Sequence, residues 1–180
     1  ALVAIVRLLP WATERHGVDR AIGGTVLAGA RLVGGSPFLR LIAGLLVDSG
    51  VLEGDAADAV ASGLSSVFFP HGIGHLLGLQ VHDIAGLAGD ALGAEIPRPA
   101  GHPYLRLTRR LEPGFVVTIE PGIYFIDLLL QQARSGANGR RIRWDVVERL
   151  RPYGGIRIED DVACTAGTPE NLTRDAFAKQ

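Results

Sequence analysis

Two β-branched stretches with sharp turn signals restrict the fold of this chain more than any other feature. The first, FVVTIE at residues 115–120, ends directly at a Pro-Gly turn signal. The second, GIRIEDDVACT at 155–165, begins with strict alternation, with isoleucines on one side and charged residues on the other. Each stretch predicts a β-strand, and the alternation predicts a sheet with two different faces.

Helical patterns lie around these strands. Leucine and isoleucine recur at helical spacing from Pro37 to Val51, and a short alanine-rich stretch at 55–65 predicts a second helix. A third short helix is expected over 145–150, ended by Pro152, while residues 1–36 predict only weak helices. This order of elements indicates an α+β domain with a mainly antiparallel sheet.

Composition excludes several classes of protein. The 180 residues are 47% hydrophobic and 21% charged, as in an ordinary globular domain, and a formal net charge of −1 gives no reason to expect binding to nucleic acid or to a membrane. The lone Cys164 excludes an intramolecular disulfide. The apolar opening is interrupted by Arg7 and Pro10 and is too short to span a bilayer. We therefore expect a cytoplasmic protein of one domain.

Three of the five histidines of the chain lie in the stretch FFPHGIGHLLGLQVHD at 68–83. His71 and His75 are four residues apart, but the glycines between them favour a turn rather than a helix. We expect this turn to lead into a strand, GLQVHD, in which Gln80 and His82 share one face. Two interpretations stay open at this point: ordinary turn and strand histidines, or side chains that meet at a ligand.

Two glutamates lie at strand positions with apolar neighbours. Glu120 closes FVVTIE, and Glu159 follows the two isoleucines of GIRIE. Because an isolated buried carboxylate is costly, each needs a partner. One interpretation is a salt bridge, for which Arg157 is available beside Glu159. The other is a metal site: a histidine with carboxylates and no thiolate suits a hydrolytic centre of oxygen-preferring ions better than structural zinc.

Several strings in the correct order and spacing support a family resemblance. FFPHGIGHLLGLQVHD, YLRLTRRLEPGFVVTIEPGIYFID, GGIRIEDDV and the closing NLTRD resemble the C-terminal half of bacterial Xaa-Pro dipeptidases (prolidases), which are pita-bread metallopeptidases. The resemblance covers residues 37–180, whereas 1–36 are divergent. It implies the C-terminal portion of a pita-bread (creatinase/aminopeptidase-like) fold, with a curved antiparallel sheet and covering helices. Residues 1–180 would then be one partial catalytic domain.

The resemblance also implies a metal centre and a reaction. His75, Glu120 and Glu159 correspond to metal ligands, and Glu159 would bridge two divalent ions, commonly Mn²⁺. The reaction would be hydrolysis of dipeptides that end in proline, by a water activated between the two ions. Related enzymes also cleave organophosphate esters, and a homodimer is the implied assembly.

The same resemblance assigns roles to four residues near these ligands and a second role to one of the ligands. His71 and His82 would line the substrate, stabilise the tetrahedral intermediate and shuttle protons, and Glu120 would take part in catalysis. Arg157 would orient Glu159 or bind substrate. Arg106 would hold the carboxylate of the C-terminal proline, a task that suits the two-pronged guanidinium.

One part of the family pattern is not recognisable. The family has two further aspartate ligands upstream, but Asp19 is the only aspartate before Asp48, and its spacing to His75 is too short. Three accounts compete: a C-terminal piece of a full enzyme, a naturally truncated relative, or a strongly altered 1–36. We expect a weakened metal site and little Xaa-Pro turnover by this chain alone. The alternative function is an inactive remnant that serves as a binding or interaction module.

Overall fold

A computed structural model describes residues 37–100 and 102–178. These residues divide into two compact units. The weak helices expected over 1–36, and Asp19, lie outside the described residues. No helix in the described ranges is long and apolar enough to cross a membrane.

The first unit comprises residues 37–70 and 122–157 of the described chain and is mainly helical. Its elements are α1 (Pro37–Asp48), α2 (Ala56–Ala61), α3 (Asp127–Ser135) and α4 (Trp144–Leu150), with a two-stranded antiparallel sheet of β3 (Gly122–Tyr124) and β4 (Gly155–Arg157). Short 3₁₀ turns at Leu64–Val67, Gly139–Arg141 and Arg151–Tyr153 connect them.

Apolar side chains at helical spacing form the core of this unit. Ile42 and Leu46 of α1 are at most 1% exposed, as is Val147 of α4. Phe68 is fully buried and meets Phe125 edge to face, with ring centroids 5.9 Å apart. Helices are therefore confirmed at all three predicted places, although α2 is shorter than expected because a turn and a 3₁₀ segment follow it.

The second unit comprises residues 71–121 and 158–178 of the described chain and is built on an antiparallel sheet. The strands are β1 (Leu76–Leu77), β2 (Val116–Ile119), β5 (Asp160–Ala163) and β6 (Glu170–Asn171), in the spatial order β1-β2-β5-β6. A 3₁₀ turn at Ile84–Leu87 follows β1, and helix α5 (Leu172–Phe177) follows β6. All four strand pairs formed by these described strands are antiparallel, in agreement with the mainly antiparallel sheet expected from the sequence.

Two strand predictions are wrong in detail. The stretch at 155–165 is not one strand, because it leaves strand geometry at Ile158 and Glu159 and thereby separates β4 from β5. No strand forms over GLQVHD at 78–83: β1 ends just before it, at Leu77, and bends follow, so Gln80 and His82 share no strand face.

The pairing of β2 with β5 places Glu120 opposite Glu159. Ile119 pairs with Asp160 at the end of the ladder, and the Ile158 N–H donates to the Pro121 carbonyl at 2.9 Å. The two glutamates lie between these pairs, one residue beyond the end of each strand. The sheet therefore positions both carboxylates at the same end of the β2–β5 pair.

Candidate metal centre

His75, Glu120 and Glu159 form a group in the second unit that could hold a metal ion. One ligand atom of each residue lies within 4.8 Å of the others. His75 and Glu120 are 3% and 6% exposed. Glu159 is exposed, so the expectation that it is buried is wrong; it lies in the break between β4 and β5, outside both strands.

The backbone around His75 fixes its ring. His75 precedes β1, and its carbonyl accepts from the Thr118 N–H at 3.0 Å. The His75 Nδ1 lies 3.3 Å from the Leu76 carbonyl oxygen. A carbonyl oxygen only accepts hydrogen bonds, so a proton on Nδ1 satisfies this contact and leaves Nε2 as the nitrogen that can bind a metal ion. That Nε2 lies 3.1 Å from Glu120 Oε1, where a cation could be shared.

Thr118 joins the histidine and the glutamate. Its hydroxyl oxygen accepts from the His75 N–H at 3.0 Å and donates to Glu120 Oε1 at 2.7 Å. Thr118 is only 2% exposed, so water cannot replace it. No role for Thr118 was predicted from the sequence. The available signal was Thr-x-Glu in TIE, since alternate strand residues share a face.

His82 reaches the centre through a loop rather than a strand. Its ring packs edge to face on His75, with centroids 4.4 Å apart. Partial desolvation lowers the pKa of His82 below the ordinary imidazole value, and the charges of Arg106 and His75 lower it further. His82 therefore favours its neutral form near pH 7.

Asp83 holds this loop and was also overlooked in the sequence. Its Oδ1 accepts from the Ala85 N–H at 2.9 Å, and its own N–H donates to the Leu76 carbonyl at 3.1 Å. Hydrogen bonds from the backbone N–H groups of Ala85 and Gln80 lower the pKa of the Asp83 carboxyl. An aspartate directly before a short apolar turn is the usual sequence signal for such a cap.

The other predicted site residues are placed as follows. Arg106 is exposed and forms an isolated parallel bridge with His75, which brings it to the same region of the second unit. His71 is half-buried at the start of this unit, and its Nδ1 donates to the Gly72 carbonyl at 2.7 Å. Arg157 is exposed and ends β4 in the first unit, and its role stays a prediction.

The donor set of the group fits a divalent cation. One imidazole nitrogen and two carboxylates are ligands that Mn²⁺ and similar ions accept, and the group contains no thiolate. The polar contacts of His75 and Glu120 with Thr118 hold these two ligands in place.

Comparison with known proteins agrees with this geometry. The model of metallopeptidase family M24 matches residues 42–166. A Xaa-Pro dipeptidase of Stenotrophomonas maltophilia (strain R551-3) is 61% identical over 135 residues, which are 75% of this chain and 30% of the relative. One of Xanthomonas campestris pv. campestris (strain B100) is 58% identical over 135 residues, 75% of this chain and 31% of the relative. The chain thus spans about a third of the length of these relatives.

Solved structures of Escherichia coli aminopeptidase P are also similar. A histidine-to-alanine variant has a TM-score of 0.51 and 29% identity, over 91% of this chain and 32% of the other. An aspartate-to-alanine variant has a TM-score of 0.50 and 28% identity, over 87% of this chain and 30% of the other. The chain belongs to metallopeptidase family M24 and has the α+β pita-bread fold of that family.

Proposed function

We propose that this chain forms the C-terminal part of the catalytic domain of a Xaa-Pro dipeptidase, with residues 1–180 as one partial domain. The observation that carries the proposal is the convergence of His75, Glu120 and Glu159 within 4.8 Å. Relatives about 60% identical, named Xaa-Pro dipeptidases, support the substrate class. The substrate would be a dipeptide that ends in proline.

We propose that two divalent ions, Mn²⁺, would be held by His75, Glu120 and Glu159. Glu159 would be the ligand that both ions share. When bound, such ions activate a water and polarise the scissile carbonyl. Glu120 has a second task in this scheme. Its Oε1 accepts a hydrogen bond from Thr118, which orients the carboxylate, and Glu120 would also help to move a proton.

The surrounding side chains would bind and orient the dipeptide. His71 would line the substrate, and the contact of its Nδ1 with the Gly72 carbonyl holds the ring in place. His82 lies against His75, where it can contact the reacting carbonyl and its developing charge. Arg106 would bind the carboxylate of the proline, and Arg157 would orient Glu159 or bind substrate. The cytoplasmic location and the homodimer expected from the sequence remain predictions.

Metal binding and turnover test the proposal together. We expect the chain to bind Mn²⁺, measured as loss of the free-ion EPR signal, and to release proline from Ala-Pro slowly and only when Mn²⁺ is present. The Glu120→Gln variant should bind Mn²⁺ at least about tenfold more weakly, since it replaces a buried charged ligand. Glu112→Gln changes an exposed glutamate of the same unit and should leave the affinity unchanged.

Each outcome of this experiment discriminates between the candidates. A chain that neither binds Mn²⁺ nor releases proline would favour the inactive interaction module. Rapid turnover of Ala-Pro by this polypeptide alone, with its mass confirmed, would contradict the expectation that the site is weakened.

A further inference from the structure

Three polar side chains of the C-terminal segment contact the first residues of strand β5. Asn171 ends β6, and Thr173 and Arg174 lie in the helix that follows. All three contact Asp160 or Asp161, the first two residues of β5. We call Asn171, Thr173 and Arg174 the C-terminal clamp.

The contacts of the clamp are directional. Arg174 Nε and Asn171 Nδ2 both donate to Asp160 Oδ2, at 2.8 and 3.0 Å. The Thr173 hydroxyl accepts from the Asp161 N–H at 2.8 Å. Asp160 is only 7% exposed, so these partners compensate for a carboxylate that is largely removed from water.

Helix α5 and the clamp depend on each other. The Asn171 side chain uses its oxygen to accept from the Arg174 N–H at 2.9 Å and its nitrogen to donate to Asp160. The first bond caps the helix, and the capped helix carries both Thr173 and Arg174. The segment therefore holds the start of β5 as a unit rather than through one side chain.

The start of β5 is also where Glu159 is attached. Glu159 directly precedes Asp160 and lies outside the regular strands. On its other side, the Ile158 N–H bonds to the Pro121 carbonyl. Glu159 is thus joined on one side to a residue whose N–H is bonded and on the other to Asp160, whose carboxylate accepts two side-chain hydrogen bonds.

We propose that the C-terminal clamp positions Glu159 for metal binding by fixing Asp160 and Asp161. The clamp residues do not bind metal or substrate, so they are positioning residues. The inference rests on the proposed metal site, and it adds the contacts that would hold Glu159, the exposed ligand of that site. Groups that orient metal ligands commonly change metal affinity 10- to 100-fold, which makes the effect measurable.

The test compares Mn²⁺ dissociation constants by EPR, at a temperature where thermal unfolding shows that every variant is folded. Arg174→Ala should weaken Mn²⁺ binding about tenfold. Thr173→Val removes one hydroxyl at nearly constant shape and should act in the same direction. Arg174→Lys keeps a cation for Asp160 and should restore most of the affinity.

The control is Arg134→Ala, which removes an ion pair with Glu148 at 2.7 Å and a stack on Trp144 in the first unit. It should lower the melting temperature and leave the affinity unchanged. Unchanged affinity in both Arg174→Ala and Thr173→Val, or an equal loss in Arg134→Ala, would overturn the clamp while leaving the metal site intact. No Mn²⁺ binding by the parent chain would overturn the proposed function and the clamp with it.

Discussion

Replacing Gly74 with alanine is expected to lower the free energy of unfolding by about 3 kcal/mol and to remove most Mn²⁺ binding. A Cβ at this buried position would collide with the carbonyl oxygen of Thr118. The obstacle is backbone, so the strand itself must move. Gly74 lies between two backbone bonds, from Thr118 N–H to the His75 carbonyl and from Glu120 N–H to the Ile73 carbonyl, and both would be disturbed.

Chemical denaturation and Mn²⁺ titration of the same preparation check this prediction. Gly167→Ala is the matched control in the same unit, because a Cβ there meets nothing within 4 Å. At Gly72 the Cβ would meet the end of the flexible Leu105 side chain at 2.8 Å, so Gly72→Ala should cost less than Gly74→Ala. A Gly74→Ala protein with parental stability and affinity would show that β1 and β2 are not packed as described.

Replacing Thr118 with valine is expected to lower the free energy of unfolding by about 2 kcal/mol and to weaken Mn²⁺ binding about tenfold. Valine has nearly the shape of threonine but removes the hydroxyl. The buried His75 N–H then loses its acceptor at 3.0 Å, and Glu120 Oε1 loses its donor at 2.7 Å. The loss of this one hydroxyl oxygen therefore removes a hydrogen bond from each of two proposed metal ligands.

Two further variants separate the local effect from general destabilisation. Thr118→Ser keeps the hydroxyl and should recover most of the affinity. Thr108→Val is the matched control, because Thr108 is also buried and its hydroxyl donates to the Ile96 carbonyl at 3.0 Å. It should reduce stability without changing Mn²⁺ affinity. Equal affinity losses in Thr118→Val and Thr108→Val would contradict the role of Thr118 at the metal centre.

The parts of the fold that sequence periodicity encodes were predictable. FVVTIE forms β2 because its β-branched residues suit a strand and Pro121 limits it. The leucines of α1 recur at helical spacing, so one face is buried. The position of Glu120 directly after the apolar residues of β2 also followed from this pattern, and Glu120 is buried in the structure.

The parts that depend on long-range contacts were not predictable in the same way. Alternation continues through Ile158 and Glu159 and gives no sign that β4 ends and β5 begins in another sheet. The position of His82 depends on Asp83, which binds the backbone of its loop, and hydropathy does not report such a bond. The role of Thr118 depends on two partners that only the folded sheet brings together.

The location of bound metal is the most direct measurement of the central claim, that His75, Glu120 and Glu159 form a metal centre. Crystals of the chain grown with Mn²⁺ would be measured at the manganese absorption edge, and an anomalous difference map would show the ion. We predict a peak within coordination distance of His75 Nε2 and of carboxylate oxygens of both glutamates. A map of Mn²⁺-saturated protein with its peak elsewhere, or with no peak among these three side chains, would contradict the account.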